Sequence, residues 1–147
     1  MTEENETVET EVVADQSIYD LFGTSAAASE EGKWFDLSPK ISIKLRRLKS
    51  KKSRKVREKL EAPYKHLLRN GALPQDVQDD LADKQIAEAI IVDWKGFTDT
   101  KGQPMPYSPA AALKLIRALP DLRDEIASIC LRMDHFRDEE SSEIAKN

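Results

Sequence analysis

The chain has 147 residues, 34% of them charged and 6% aromatic, with a single cysteine and a formal net charge of -4. That length suits one domain with a modest core; the lone Cys130 rules out an internal disulfide framework, and no apolar run is long enough to cross a bilayer. Met1 is followed by the acidic TEENETVETEVV, which lacks the basic and apolar regions of a secretory signal, so a cytoplasmic protein without membrane association is expected.

The net charge hides a strong asymmetry. Residues 1–39 carry ten acids and one base, residues 40–69 thirteen bases and two acids, and residues 70–147 nine bases and fifteen acids. The blocks therefore hold -9, +11 and -6, and the basic middle is the part that suggests a partner.

In chain order, residues 1–31 read as a disordered acidic arm with little to bury. Within it SIYDLFG offers one apolar helical turn at Ile18, Tyr19, Leu21 and Phe22, equally suited to docking on its own domain or on a partner. From Lys33 the character changes. Ile41, Ile43 and Leu45 alternate with Ser42, Lys44 and Arg46, the period-2 pattern of a half-buried strand; Trp34 and Phe35 begin an earlier extended piece, and Ser38-Pro39 can turn the chain between them. A short hairpin is predicted. Ser50 or Ser53 can cap a helix through KKSRKVREKLE, which Pro63 ends, and YKHLLRNG adds one or two turns stopped by Asn70-Gly71.

Pro74 opens what the spacing predicts as a long helix, PQDVQDDLADKQIAEAIIVDWKG, with Ala82, Ile86, Ala89 and Ile90 on one face. The stretch WKGFTDTKGQPMPYSP then joins it to a helix that starts at Ser108-Pro109, a hydroxyl cap followed by proline. Thr98 to Gly102 is turn chemistry, and Pro104 and Pro106 stiffen the return, which sets Met105 and Tyr107 against Trp94 and Phe97. A structural joint whose aromatics plug the gap between helices is expected there. Asp121 can cap the last helix, where Leu122, Ile126, Ile129, Cys130, Met133 and Phe136 recur at helical spacing. Residues 139–147 read as a flexible tail. The predicted architecture is mainly α: residues 32–138 form one domain of four or five helices with a short N-terminal β-hairpin.

Catalytic or cofactor chemistry finds few parts. His66 and His135 have no second ligand at metal-binding spacing, the five glycines never cluster as a phosphate loop, and Cys130 lies on an apolar stripe. No enzyme, cofactor or metal is expected. The basic block places eleven Lys and Arg within KISIKLRRLKSKKSRKVREK. Nucleic acid is disfavoured as its partner, because the charges run round the helix and the aromatics precede them rather than interleave. An acidic protein surface, or the acidic arm itself, serves instead.

Six segments together carry a family resemblance. AEAIIVDWKG, a T-D-x-x-G turn, P-x-P-Y-S and the helix ALKLIRALPDLRDEI resemble the tail assembly chaperones of long, non-contractile-tailed bacteriophages, and KWFDL with ISIKLRRLKSKKSRKV resembles the first half of such proteins. The resemblance covers roughly residues 33 to 138 and leaves the acidic arm unmatched. It implies a nearly all-helical, self-associating, non-enzymatic protein of the host cytoplasm, absent from the finished virion. It also implies binding to the tape-measure protein, which is kept soluble, and recruitment of the major tail (tube) protein. Residues expected to make protein contacts are Arg46, Arg47, Lys51, Lys52, Arg54, Trp94, Phe97 and Tyr107. The alternative is a small basic nucleic-acid-binding regulator of phage origin.

Overall fold

The alternation at Ile41, Ile43 and Leu45 produces the central strand of a sheet. The computed structural model describes residues 17–137. Two short helices, α1 (Ile18–Phe22) and α2 (Ala26–Glu31), precede strands β1 (Lys33–Ser38) and β2 (Ile41–Leu45). Helix α3 (Lys51–Glu61), a 3-10 turn (Ala62–Tyr64), α4 (Lys65–Arg69) and α5 (Gln75–Gln85) follow. A π turn (Ile86–Ile90) leads into β3 (Ile91–Lys95), and α6 (Pro109–Ala118), α7 (Pro120–Leu131) and a 3-10 turn (Met133–Phe136) complete the described chain.

The strands pair antiparallel in the order β1-β2-β3. Ile43 lies opposite Phe35 on one side and Trp94 on the other, and Leu45 lies between Lys33 and Ile91. Because side chains alternate along a strand, this row faces the helices. Ile43 and Leu45 are fully buried there against Ile90, Ile116, Ile126 and Phe136 from the π turn, α6, α7 and the final turn. The opposite face is polar, with Lys44 between Trp34 and Asp93, and Ser42 between Asp36 and Lys95. The Ser42 hydroxyl donates to Asp36 at 2.8 Å, and the Lys95 ammonium lies 4.2 Å from the centre of the Trp34 ring.

Ion pairs bind the helices on the far side of the core. Asp83 of α5, a buried carboxylate, accepts from Arg123 of α7 at 3.2 Å and lies 3.8 Å from Arg117 of α6, which also pairs with Asp80. At α3, Ser50 accepts the Ser53 amide, and Ser53 and Val56 point inward, with Gln85 donating to the Ser53 hydroxyl at 2.9 Å. The first turn of α3 has no acid of its own and carries Lys51 and Lys52, a poor match to the positive end of a helix dipole. Glu30 of α2 supplies the missing charge, its carboxylate accepting the Lys51 amide at 3.0 and 3.1 Å.

Two expectations need correction. The fold is mixed α/β, not a mainly α domain with a short hairpin, and the nearly all-helical form implied by the family resemblance fails with it. The helix opening at Pro74 stops at Gln85, and Ile91–Lys95 becomes the third strand. Helical spacing through Ile86, Ala89 and Ile90 is real, and the π turn satisfies it, but β2 offers an unpaired edge and Ile90-Ile91-Val92 is a β-branched run that fits a pleated surface. The disordered acidic arm, expected to reach residue 31, is also too long. Ser17 to Glu31 holds two capped helices; the Ser25 amide donates to the Phe136 carbonyl at 2.8 Å, and Ser29 is buried. The rest of the arm, residues 1–16, and the flexible tail expected at 139–147 lie outside the described residues. A smaller difference concerns Asp121, which sits in the first turn of α7 and makes no cap bond.

Candidate interaction surfaces

The aromatic joint is built on β3. The Trp94 ring is 6% exposed, stacks on Phe97 with centroids 4.5 Å apart, and meets Tyr107 edge-on at 5.2 Å. Its indole N–H donates to the Met105 carbonyl at 2.7 Å, and the Tyr107 hydroxyl donates to the Ile91 carbonyl at 3.0 Å. Burial, followed by the nearby Asp93 carboxylate, raises the pKa of the Tyr107 phenol, with Arg46 opposing. Asp99 accepts the amides of Lys101 and Gln103, and Thr98 bridges Pro104, so the connection folds back as a small hairpin. Its entry needs glycine. Gly96 has φ +77°, and a Cβ there would lie 2.0 Å from the Lys40 carbonyl oxygen.

The basic block separates into two groups. Arg46 and Arg47 are half-buried and turned toward the chain itself. Arg46 donates to the carbonyls of Glu30 (2.6 Å) and Ala89 (2.7 Å), tying α2 to the π turn, and Arg47 reaches the Thr24 hydroxyl at 3.3 Å. Lys51, Lys52 and Arg54 are exposed on α3, as are Lys55, Arg57 and Lys59. The eight residues expected to make contacts thus fall in three places: the exposed α3 face, the α2–π turn tie, and the aromatic joint.

Sequence reasoning missed a cleft of about 320 Å³ between α3, α4 and α5, lined by Leu60, Leu68, Leu73, Leu81 and Ala82 together with Gln78, Gln85 and the paired Arg57 and Glu61. Its signal was present: Leu60, Leu68 and Leu81 lie on three separate short helices around a proline and a glycine, too little apolar surface for the cleft to close. Helix α1 is exposed along its whole length, with Ile18 62%, Tyr19 83%, Leu21 41% and Phe22 64% accessible.

Among the described residues no group of His, Cys, Asp and Glu is arranged to hold a metal, and no helix is long and apolar enough to cross a membrane. Cys130 is buried and its thiol is pushed up to about 11 by desolvation, which leaves almost no thiolate at neutral pH.

The sequence model of the YdaY prophage protein family matches residues 48–147, more than half of the chain. The chain belongs to that family. No curated protein and no solved structure matches it. Membership in the YdaY prophage family establishes a phage origin, in agreement with the phage side of the resemblance, and is silent on tail assembly. The matched region of this YdaY-family chain contains α3, the cleft and the aromatic joint, whereas α1, α2 and the β1–β2 hairpin precede it.

Proposed function

We propose that this prophage protein acts by binding rather than by catalysis, as an assembly chaperone for a long helical phage protein, with the tape-measure protein as client and the tail-tube subunit as second partner. One observation carries the reading: α3 bears exposed bases along its length and, at Arg57 and Leu60, forms one wall of a mainly apolar cleft. An amphipathic client helix with an acidic side uses both features, its apolar stripe in the cleft and its carboxylates against α3. The resemblance of the joint and the last two helices to tail assembly chaperones supports the same reading, as does the phage origin. The corrected fold withdraws the support that an all-helical architecture would have lent. The expected site of action is the host cytoplasm, before the virion is complete.

Co-expression with the longest helical protein of the same prophage tests this. The client should stay soluble with the intact chain and aggregate when Lys51, Lys52 and Arg54 are all changed to Glu. Client solubility that is indifferent to both the chain and the triple variant overturns the proposal. The same α3 bases favour a second reading, a phosphate-binding regulator, since they are solvent-facing and concentrated on one helix. That reading requires tight duplex or single-strand binding that falls steeply across a salt series.

A further inference from the structure

Two features of the fold have no partner among the described residues. Helix α1 is pre-shaped by a capping box, in which Ser17 accepts the Asp20 amide and Asp20 accepts the Ser17 amide. A five-residue helix is far below the length that is stable alone, so a local device holds it in shape. Yet none of its residues is buried. It is held by backbone and linker contacts: Arg137 donates to the Leu21 carbonyl at 2.8 Å, and Ser25 is anchored to Phe136. Ile18, Tyr19, Leu21 and Phe22 therefore form a contiguous apolar surface facing water, the kind of patch that marks a contact site. The second feature is the α3–α4–α5 cleft, whose lining is mainly apolar.

The charges around the two are complementary. Asp20 lies within α1, and the sixteen residues before Ser17 contain six acids and no base. Residues 51–69, which form two walls of the cleft, hold eight bases and two acids. The remaining wall, α5, is acidic, but its Asp80 and Asp83 are already paired with Arg117 and Arg123.

The way α1 is held bears on whose cleft it fills. Glu30 places α2 at the N-terminal end of α3, whereas the cleft residues Arg57 and Leu60 lie six to nine residues further on, about 9–14 Å along the axis. Gly23 and Thr24 join α1 to the anchored Ser25, Arg137 holds α1 toward Phe136, and no α1 residue lines the cleft. A chain's own α1 is thus held outside its own cleft.

We propose that α1 of one copy seats its apolar side chains in the α3–α4–α5 cleft of a second copy, with its acidic flank against the basic α3 face, to give a reciprocal dimer. The dimer covers the cleft assigned above to a client, so a client would have to displace α1. The exchange itself needs no client, and each can fail without the other.

The test uses the full chain. Sedimentation should show a dimer that weakens by about tenfold or more when salt rises from about 50 to about 500 mM. The exposed-residue variant Leu21→Asp/Phe22→Asp should be monomeric with an unchanged melting temperature, and Ala82→Arg, at an exposed cleft position, should be monomeric as well. A fluorescein-labelled peptide of residues 8–24 should bind the Leu21→Asp/Phe22→Asp chain, whose clefts are vacated, and should not bind once Ala82→Arg is added. A dimer that neither variant affects, a wild-type chain that stays monomeric at high concentration, or a peptide that ignores Ala82→Arg overturns the exchange. If the peptide binds as expected while the helical client does not, the dimer stands and the chaperone reading falls.

Discussion

Replacing Trp94 by alanine tests whether the aromatic joint holds the fold or serves as a contact surface. The ring is almost fully buried between Phe97, Tyr107 and the β2 row, so its removal forfeits the transfer free energy of a large aromatic and leaves a cavity under the loop. It also leaves the Met105 carbonyl without the indole donor. The expected cost is about 3–5 kcal/mol, a third or more of the stability usual for a domain of this size. In urea this lowers the midpoint by about 1.5–2.5 M if the slope is near 2 kcal/mol per M. Trp94→Phe keeps most of the apolar volume and should lose only about 1–2 kcal/mol, mainly the hydrogen bond. Unfolding should be followed by far-ultraviolet circular dichroism, because replacing Trp94 changes the indole signal itself and leaves Trp34 as the one remaining indole. A loss below about 1 kcal/mol for Trp94→Ala, with an unchanged slope, would refute the structural role of the joint.

Three further outcomes follow from local geometry. Gly96→Ala should cost about 2–4 kcal/mol, because the added Cβ meets the Lys40 carbonyl; Gly102→Ala, also at φ +77° but with open space around it, should cost about 1–2 kcal/mol, and equal losses on denaturation would refute the close approach. Glu30→Ala should cost about 1 kcal/mol by removing the acceptor of the Lys51 amide and the negative charge at the start of α3, with Glu30→Gln intermediate, measured the same way. For Cys130 the folded thiol holds its proton more tightly than the unfolded one, so its stabilisation is complete below the unfolded pKa and is lost as pH rises through about 11; unfolding measured between about pH 8 and 11 should reveal a loss of about 2–3 kcal/mol that Cys130→Ala removes, with the raised Tyr107 phenol acting in the same direction.

Elements whose signals are local were legible in the sequence. The β1–β2 hairpin, the Ser50 and Ser108 caps, the helix stop at Asn70-Gly71 and the hairpin-like joint all rest on side chains within a few residues of the backbone they shape. Strand β3 was hidden because Ile86, Ala87, Ala89, Ile90 and Ile91 are buried on every side, and a short apolar run buried all round shows no period by which helix and strand can be told apart. Its identity depends on β2, nearly fifty residues earlier. Helices α1 and α2 were obscured by composition: small residues and acids look unable to bury surface, yet α2 is held mainly through backbone groups, with Arg46 donating to Glu30 and Ser25 to Phe136. For the surfaces, exposure of the α3 bases followed from their number, whereas the inward turn of Arg46 and Arg47 required knowing that two carbonyls and a hydroxyl lay within reach.

The placement of β2 bears on how the family's boundary relates to folding. The family match begins at residue 48, three positions after the central strand ends. A fragment cut at that boundary would keep α6, α7 and β3 but lose Ile43 and Leu45, the two residues that fill the middle of the core. It would also leave the inner edge of β3 with its amides and carbonyls bare, next to Ile91 and Trp94, which invites pairing with any extended chain. The segment that the family match covers is therefore smaller than the unit of folding. A relative that shares only the matched segment must bring a strand of its own to the empty central position, and exchanging the segment between prophages works only where the recipient's upstream sequence can take that place.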